Sequence, residues 1–146
     1  MEPGFFVRNY TETDFPEMIM LWEALGLGSA HRGDDSQVIA RTLQMGGQLL
    51  LLVEQVSGKI IGTSWLTVDG RRTYIHHFGI HSLYQGRGLA KVLLNASLKL
   101  AKTFGMQIKL EVHKDNAKAI SLYAKSGFVS LGDYQVYIIR DISAIY

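Results

Sequence analysis

Residues 84–91 read YQGRGLAK and place two glycines directly before a segment with helical spacing. Gly86 and Gly88 flank Arg87 there. The start of a helix offers N–H groups without internal partners and the positive end of the helix dipole. Glycines ahead of it let the backbone approach an anion without a clash from Cβ. The segment therefore predicts either a cradle for a phosphate group or a loop that makes a sharp turn.

Two common phosphate motifs do not fit this segment. A Walker loop needs Gly-Lys-Ser/Thr, but Ala90, Lys91 and Val92 supply no hydroxyl for magnesium. A dinucleotide fingerprint needs a third glycine and a parallel doubly wound sheet, whereas the strands predicted ahead of this segment are antiparallel. A nucleotide-phosphate binder or regulatory module that uses residues 85–90 alone stays open as a function of a different class.

A second pattern with chemical potential covers residues 116–128. Asn116 and Tyr123 are seven residues apart, which is two helical turns, so both lie on one face of a helix. Gly127 and Phe128 follow. Each residue alone also fits a structural role, Asn116 as a helix cap and Tyr123 as part of a core.

Adjacent histidines are the candidates for acid–base chemistry. His76 and His77 lie in the strand-like segment YIHHF, and the two-residue period of a strand puts them on opposite faces. An imidazole titrates near neutral pH and can accept a proton there. A packed or a surface histidine explains either position as well. No His, Asp and Glu cluster suggests a metal, and the absence of cysteine excludes a thiolate zinc site and a cysteine nucleophile.

The elements that must hold these residues follow from hydrophobic periodicity. Asp14 and Glu17 predict a capping box for the first helix, because a side chain three residues into a helix can return a hydrogen bond to the cap. A final hairpin is predicted around Gly132 and Asp133. The predicted strands cover residues 5–9, 48–56, 59–68, 71–81, 106–112, 128–132 and 134–142, and the predicted helices cover residues 13–26, 34–44, 89–104 and 117–127.

This order of elements predicts an α+β fold in one domain, residues 1–146. The strand–helix–strand unit near residues 72–112 should be right-handed, which makes its two strands parallel. The strands before it form an antiparallel meander. We therefore expect a mixed, mostly antiparallel sheet with about four helices packed against it.

Charge is distributed unevenly along the chain. Residues 1–73 carry six basic and nine acidic side chains, whereas residues 74–146 carry nine basic and four acidic ones. The excess of positive charge around the glycine segment suggests an anionic partner, but it lacks the basic density of a nucleic-acid binder. No apolar run is long enough to cross a bilayer. We expect a soluble, cytoplasmic protein without a nucleic-acid or membrane partner.

The glycine segment resembles the acetyl-CoA motif of the GNAT superfamily of N-acetyltransferases. The resemblance lies in Gln85-x-x-Gly88-x-Ala90 after a strand that contains Phe78 and Ile80. It implies the family's mixed fold, with a central sheet of six to seven strands and a parallel, splayed pair.

The second pattern is similar to another signature of the same family. It reads Asn116-x-x-Ala119-x-x-x-Tyr123 and continues to Gly127 and Phe128. The spacing between the two signatures also resembles that of the family, and the likeness extends over nearly the whole chain. The chain is thus identified as similar to small, single-domain bacterial members.

The resemblance implies how acetyl-CoA would bind. The pantetheine arm would lie in the wedge between the splayed strands, with Phe78 and Ile80 contacting it through their backbones and Asn116 from the other side. Gly79 would mark a bulge that allows the splay. An amide of this strand would polarise the thioester carbonyl. The pyrophosphate would be held by backbone N–H groups of Gln85, Gly86, Arg87, Gly88, Leu89 and Ala90.

The implied reaction is direct attack of a primary amine, on a small molecule or a protein, on the thioester of acetyl-CoA. Tyr123 stands where the family places a general acid near the sulfur. His76 stands where many members carry a glutamate base, while His77 and a water chain stay open as the base. No metal is implied. A non-catalytic acyl-CoA-binding or sensing domain of the same fold is the alternative function.

The acceptor amine is not identified by these motifs. The first two helices should form one wall of its cleft, and a homodimer formed through residues 140–146 is possible. Candidate residues of that wall are Trp22, His31, Arg32, Asp34, Asp35 and Arg41. Asp34 and Asp35 could attract an ammonium group, but they also fit the caps of the helix that follows.

Overall fold

A computed structural model describes residues 4–28 and 33–145 of the chain, which forms two compact units that divide between Glu111 and Val112. The first unit contains a five-stranded sheet in the order β1-β2-β3-β4-β5. Its strands are β1 (Phe5–Asn9), β2 (Gln48–Glu54), β3 (Ile60–Val68), β4 (Arg72–Ile80) and β5 (Gln107–Leu110).

Three helices belong to the first unit and one to the second. They are α1 (Phe15–Leu25), α2 (Ser36–Gln44), α3 (Leu89–Phe104) and, in the second unit, α4 (Ala117–Lys125). The strands β1 to β4 are antiparallel and β5 runs parallel to β4. The predicted α+β class, the meander and the parallel pair are therefore confirmed. Within residues 4–28 and 33–145, no helix has the length and apolar character needed to cross a membrane.

Two apolar cores cover the two faces of the sheet, because side chains alternate along each strand. One face packs against α1 and α2, and its buried residues are Tyr10, Met18, Leu21, Trp22, Ile39, Leu49, Leu51, Val53, Ile60 and Trp65. The other face packs against α3, and its buried residues are Phe5, Leu50, Leu52, Ile61, Ile80, Leu89 and Leu93. The strand β2 shows the period directly, since Leu49 and Leu51 belong to the first core and Leu50 and Leu52 to the second.

The capping box predicted at Asp14 and Glu17 is wrong. A short 3₁₀ turn, Glu12–Asp14, precedes α1, so the capping interaction moves upstream. The Asp14 carboxylate accepts a hydrogen bond of 2.8 Å from the Thr11 amide. Glu17 instead accepts a 2.6 Å hydrogen bond from the amide of Ile60, which ties α1 to β3.

The predicted final hairpin is also wrong, and the sheet of the described chain has five strands rather than six to seven. Residues 128–141 form no strand, although Tyr134 N donates to Leu131 O across a turn at 3.1 Å. Strand-forming residues are not sufficient, because a strand persists only when a neighbour pairs with it. Nine large apolar side chains are consequently at least 60% exposed: Val129, Leu131, Tyr134, Val136, Tyr137, Ile138, Ile139, Ile142 and Ile145.

Candidate active site

A bulge in β4 sets the geometry of the candidate site. The register of β3 and β4 shifts between Thr63 and Trp65, so Ser64 alone lies opposite His77 and Phe78. His77 has φ of 47°, which makes it the one described non-glycine residue with a positive φ. This conformation is uncommon for a side chain with a Cβ, so the surrounding contacts must maintain it.

The bulge does not lie at Gly79, as predicted, but at the two residues before it. Position 79 needs a residue without a Cβ for another reason. A Cβ built on Gly79 would be 2.9 Å from Cδ1 of Leu27 and 3.2 Å from Cδ1 of Leu25. The glycine therefore lets the end of α1 and the residues after it pack directly on the strand backbone.

The two imidazoles of β4 lie on the same side of the sheet, contrary to the predicted opposite faces. The ring centroids of His76 and His77 are 5.8 and 5.5 Å from that of Trp65. The His77 ring also meets Trp22 edge-on at 4.5 Å. The extra residue of the bulge interrupts the alternation of side chains, so two consecutive histidines reach one face.

His77 pairs with an acidic residue 43 positions earlier in the chain. Its Nε2 lies 2.9 Å from Oδ2 of Asp34, just ahead of α2. Both side chains are largely covered, with 17% and 16% of their areas exposed. Of the neighbouring residues Asp34 and Asp35, only Asp35 caps α2, because its side chain accepts a 2.9 Å hydrogen bond from the amide of Val38.

A buried chain of hydrogen bonds holds the main chain of the bulge. The indole Nε1 of Trp22 donates to Oγ1 of Thr63 at 2.9 Å, and this hydroxyl donates to the carbonyl of His77 at 2.6 Å. Trp22 and Thr63 are both fully buried. Because an unpaired buried polar group is costly, the chain links α1, β3 and the strained residue of β4 into one rigid arrangement.

His76 has a different environment from His77. Its Nε2 lies 2.8 Å from Oγ1 of Thr67, and its ring stacks on Tyr74 with centroids 6.1 Å apart. Desolvation by the surrounding protein lowers the pKa of His76, and the neighbouring His77 lowers it further, while Asp34 opposes the shift. A neutral ring at neutral pH follows from this direction.

The parallel pairing of β4 and β5 ends early. It runs from Arg72–Gln107 to Ile75–Leu110, whereas β4 itself continues to Ile80. Among the residues that the structure describes, the last part of β4 therefore pairs in the sheet with β3 alone. The parallel pairing is thus missing beside residues 76–80, the place where the sequence resemblance implies a wedge.

The glycine segment forms the start of α3 as expected. Gly86 and Gly88 both have φ of 78°, and Gly88 is the N-cap of the helix. A Cβ built on either glycine would meet no atom within 4 Å, so the space in front of this backbone is open. The first N–H groups of α3 have no partner within the helix and can bind an anion there.

Side chains around the glycines hold the segment in place. Gln85 Nε2 donates to the carbonyl of Ile80 at 2.8 Å, which fastens the loop to the end of β4. The Arg87 guanidinium lies 5.0 Å from the ring centre of Phe5 and 5.6 Å from that of Tyr84. These cation–π contacts fix the charge beside the glycines.

The second unit carries the other two predicted site residues. Asn116 caps α4, because its Oδ1 accepts a 3.2 Å hydrogen bond from the amide of Ala119. Tyr123 is 7% exposed and its ring meets Phe128 at 5.6 Å. Burial raises the pKa of Tyr123 to about 12, so the phenol keeps its proton throughout the neutral range.

The predicted site residues thus fall into two groups. The first unit holds His76, Phe78, Ile80 and residues 85–90, and the second unit holds Asn116 and Tyr123. Of the predicted cleft wall, Trp22 is buried, Asp34 and Asp35 have the partners given above, Arg41 is exposed, and His31 and Arg32 lie outside the described residues. No described group of three or more His, Asp and Glu side chains is placed to hold a metal ion.

Sequence reasoning did not find the pairing of Asp34 with His77. The two residues are 43 positions apart, and neither has a neighbour pattern that indicates the other. It also did not identify Thr63, whose signal is weak because a threonine in a β-strand is common.

Comparisons with known proteins agree with this fold. A model of the acetyltransferase (GNAT) family matches residues 11–128. An acetyltransferase of the GNAT family from Staphylococcus aureus Mu50 is 19% identical with a TM-score of 0.77, covering 90% of this chain and 88% of that chain. Glucosamine-6-phosphate N-acetyltransferase from Arabidopsis thaliana is 17% identical with a TM-score of 0.74, and the match covers 94% of this chain and 98% of that chain.

One further solved structure was obtained with a ligand. It is a GNAT family acetyltransferase from Elizabethkingia anophelis with acetyl-CoA bound, 21% identical with a TM-score of 0.65. The match covers 88% of this chain and 78% of that chain. At such identities these three likenesses show a shared fold.

Proposed function

The chain belongs to the GNAT family of acetyltransferases, and on that premise we propose that it transfers the acetyl group of acetyl-CoA to a primary amine of a small molecule or a protein. One observation carries the proposal. The end of β4, which has β3 but no parallel strand beside it among the described residues, lies in the same unit as a glycine-rich helix start that is tied to it through Gln85. Such a pair of features fits a ligand with a long arm and a pyrophosphate.

The described residues fit coenzyme A at this place. The pyrophosphate would bind the N–H groups of residues 85–90, where the open space at Gly86 and Gly88 admits an anion. The arm would lie along Phe78 and Ile80 in the gap beside β4. Asn116 is proposed as a further contact of the arm because the sequence resemblance implies it. Acetyl-CoA would supply the activated acetyl thioester, and the backbone of β4 would orient its carbonyl.

Tyr123 is proposed as the general acid. The departing thiolate has a reference pKa of about 8.5 and needs a hydrogen-bond donor as the C–S bond breaks. The phenol of Tyr123, with its pKa raised to about 12, remains protonated and can donate to that sulfur. Its strength as a donor to the developing charge, rather than full proton release, supplies the stabilisation.

A histidine of β4 is proposed as the proton acceptor. The sequence favours His76, and the lowered pKa of His76 supports that choice, because a neutral imidazole has a lone pair at neutral pH. His77 lies against the same indole, Trp65. The proposal therefore assigns proton removal from the amine to this pair of imidazoles.

Binding and turnover test the proposal separately. Acetyl-CoA should raise the melting temperature, and free coenzyme A should appear when the right amine is added. The acceptor panel comprises amino acids, polyamines, aminoglycosides and peptides with free N-termini. No binding of acetyl-CoA at high micromolar concentration would overturn the function.

Other outcomes identify the alternative functions. Binding without release of coenzyme A on any member of the panel would favour a non-catalytic acyl-CoA-binding domain. Better protection by ATP than by coenzyme A would favour a nucleotide-phosphate binder. The homodimer and the cytoplasmic location expected from the sequence stay predictions, and light scattering of the purified protein measures the first.

A further inference from the structure

We propose that His77, oriented by Asp34, is the imidazole that takes the proton from the acceptor ammonium group, and that Asp34 is its positioning residue. The inference rests on the proposed function and chooses between the two histidines of β4. It differs from the sequence-based choice of His76. Four features of the structure carry it: the tautomer, the fixed ring, the position at the bulge and the balance of charge.

The hydrogen bond to Asp34 defines the tautomer of His77. An ionised carboxylate has only acceptor capacity, so the imidazole nitrogen that bonds to it must carry the hydrogen. That nitrogen is Nε2, at 2.9 Å from Oδ2 of Asp34. The lone pair of a neutral His77 therefore lies on Nδ1. His76 bonds to the hydroxyl of Thr67, which can donate or accept, so no tautomer is selected there.

The ring of His77 is held in one orientation. Trp22 meets it edge-on at 4.5 Å and Trp65 lies at 5.5 Å, so indoles from α1 and β3 limit its rotation. Only 17% of the side chain is exposed. Within the described residues, Nδ1 makes no hydrogen bond. A fixed ring with an available lone pair is what a general base requires before substrate arrives.

The main chain places His77 beside the reacting group. His77 and Phe78 are the two residues of the bulge, and the backbone of Phe78 is the proposed contact for the acetyl-bearing arm. The parallel pairing with β5 ends at Ile75, two residues before His77. The imidazole is therefore attached to the strand at the edge of the gap, where the amine must meet the thioester.

The net charge of the Asp34–His77 pair is compatible with His77 taking up a proton and releasing it again. The described titratable groups around His77 are Asp34, ahead of α2, and His76, on its own strand. The elements α1 and β3 contribute Trp22, Trp65 and Thr63, which do not titrate in this range. Protonation changes the pair from one negative charge to none, so no isolated charge forms in a covered place.

The proton balance of the step is complete. The ammonium group gives one proton to Nδ1 of His77, and the neutral amine then forms the N–C bond as the C–S bond breaks. The second proton lost by that nitrogen ends on the coenzyme A sulfur. His77 releases its proton to water, and Asp34 is unchanged at the end.

Two variants test the assignment, with a matched control. Asparagine tolerates a positive φ better than most residues, so His77→Asn removes the imidazole with little added strain. Asp34→Asn removes the carboxylate from the pair. Asp133→Asn is the control, because it makes the same change of side chain and charge at an exposed residue. A variant whose melting temperature still rises with coenzyme A is folded and binds coenzyme A.

The measurement is kcat/KM as a function of pH, with acetyl-CoA as the donor. The acceptor is the amine that the wild type acetylates fastest among spermidine, kanamycin, an amino acid and a short peptide. His77→Asn should lower kcat/KM by about 10²-fold at neutral pH, and the loss should shrink at alkaline pH, where the amine loses its proton unaided. Asp34→Asn should lower it by about tenfold, with the acidic limb moved. Asp133→Asn should keep the wild-type profile.

A ¹⁵N spectrum of histidine-labelled protein provides a second readout that does not depend on turnover. His77 should show a protonated Nε2 and a bare Nδ1, and Asp34→Asn should abolish this preference. A protonated Nδ1 in the wild type overturns the proposal. A His77→Asn variant that keeps the wild-type dependence of kcat/KM on pH also overturns it. The case is strongest if His76→Gln lowers kcat/KM instead. Absence of turnover in the wild type with every amine would instead contradict the proposed function.

Discussion

Gly28 lies against His77 so closely that a Cβ built on the glycine would be 2.6 Å from the imidazole Nε2. The same Cβ would be 2.6 Å from Oδ2 of Asp34. Gly28, three residues after the end of α1, is therefore in contact with both members of the pair. Gly28 is a sensitive place to disturb the pair without changing a charge or a polar group.

Gly28→Ala should separate His77 from Asp34, because no Cβ is tolerated at that distance from two heavy atoms. We expect kcat/KM to fall about tenfold, as for Asp34→Asn, with a loss of stability of about 1–3 kcal/mol from overpacking. Gly132→Ala is the control, since its nearest atom would be at an ordinary 3.7 Å. Urea unfolding and the pH profile measure the two effects, and an unchanged profile for Gly28→Ala would contradict the role of the pair.

Gly88→Ala should weaken coenzyme A binding at least tenfold, because the new methyl group enters the space that the pyrophosphate needs. Gly105→Ala is a matched control at the other end of α3, with φ of 72° against 78° for Gly88. Both substitutions should cost about 1–2 kcal/mol through the left-handed backbone. Isothermal titration with coenzyme A separates strain from binding. Equal affinities for the two variants would exclude the glycine segment from the site.

Tyr123→Phe should lower kcat by about 10²-fold or more while binding of coenzyme A is kept, because the phenyl ring preserves packing and loses only the donor. Tyr134→Phe is the control, since Tyr134 is 79% exposed. Tyr123 also has a signature in stability. With its pKa raised to about 12, the phenol stays neutral in the folded chain while the unfolded chain ionises near pH 10.

Stability should therefore fall as pH rises from about 10 towards 12, since the unfolded state then holds fewer protons than the folded one. Tyr123→Phe should reduce that slope. Urea unfolding at a series of alkaline pH values measures it, and an identical slope in Tyr123→Phe and the wild type would show that burial of the phenol is not maintained in solution.

Arg8→Gln should destabilise the fold at neutral pH but not in acid. The Arg8 guanidinium, which donates two hydrogen bonds of 2.8 Å to Asp14, lowers the pKa of that carboxyl against an opposing desolvation. A lowered carboxyl pKa contributes stability above the unfolded value of about 3.9, and this is lost as pH falls through the folded value. We expect a loss of about 1 kcal/mol at pH 7 that disappears near pH 2.

The control for this pair is Arg71→Gln, which removes an exposed arginine with the same change of charge. Urea unfolding of both variants at the two pH values makes the comparison. A loss that is equal at pH 7 and in acid would show that Arg8 acts through packing of its stem rather than through Asp14.

The elements of this fold follow from short-range patterns in the sequence. The helices α1 and α3 and the meander β2 to β4 were all predicted within a few residues of their observed bounds. Each depends on residues within one helical turn or one strand. The two motifs that indicate the family, residues 85–90 and 116–128, are equally local, so the sequence pattern is sufficient to identify them.

The tertiary structure alone decided the chemistry around β4. The bulge at His77 and Phe78 arises from a register mismatch with β3, and no local pattern determines which residue becomes the extra one. It brought both histidines to one face, and the path of the chain before α2 brought Asp34 to His77 across 43 residues. The strand-like tail, residues 128–141, remained unpaired for the same reason. Pairing depends on what the rest of the chain places alongside a segment, and a sequence pattern describes only the segment itself.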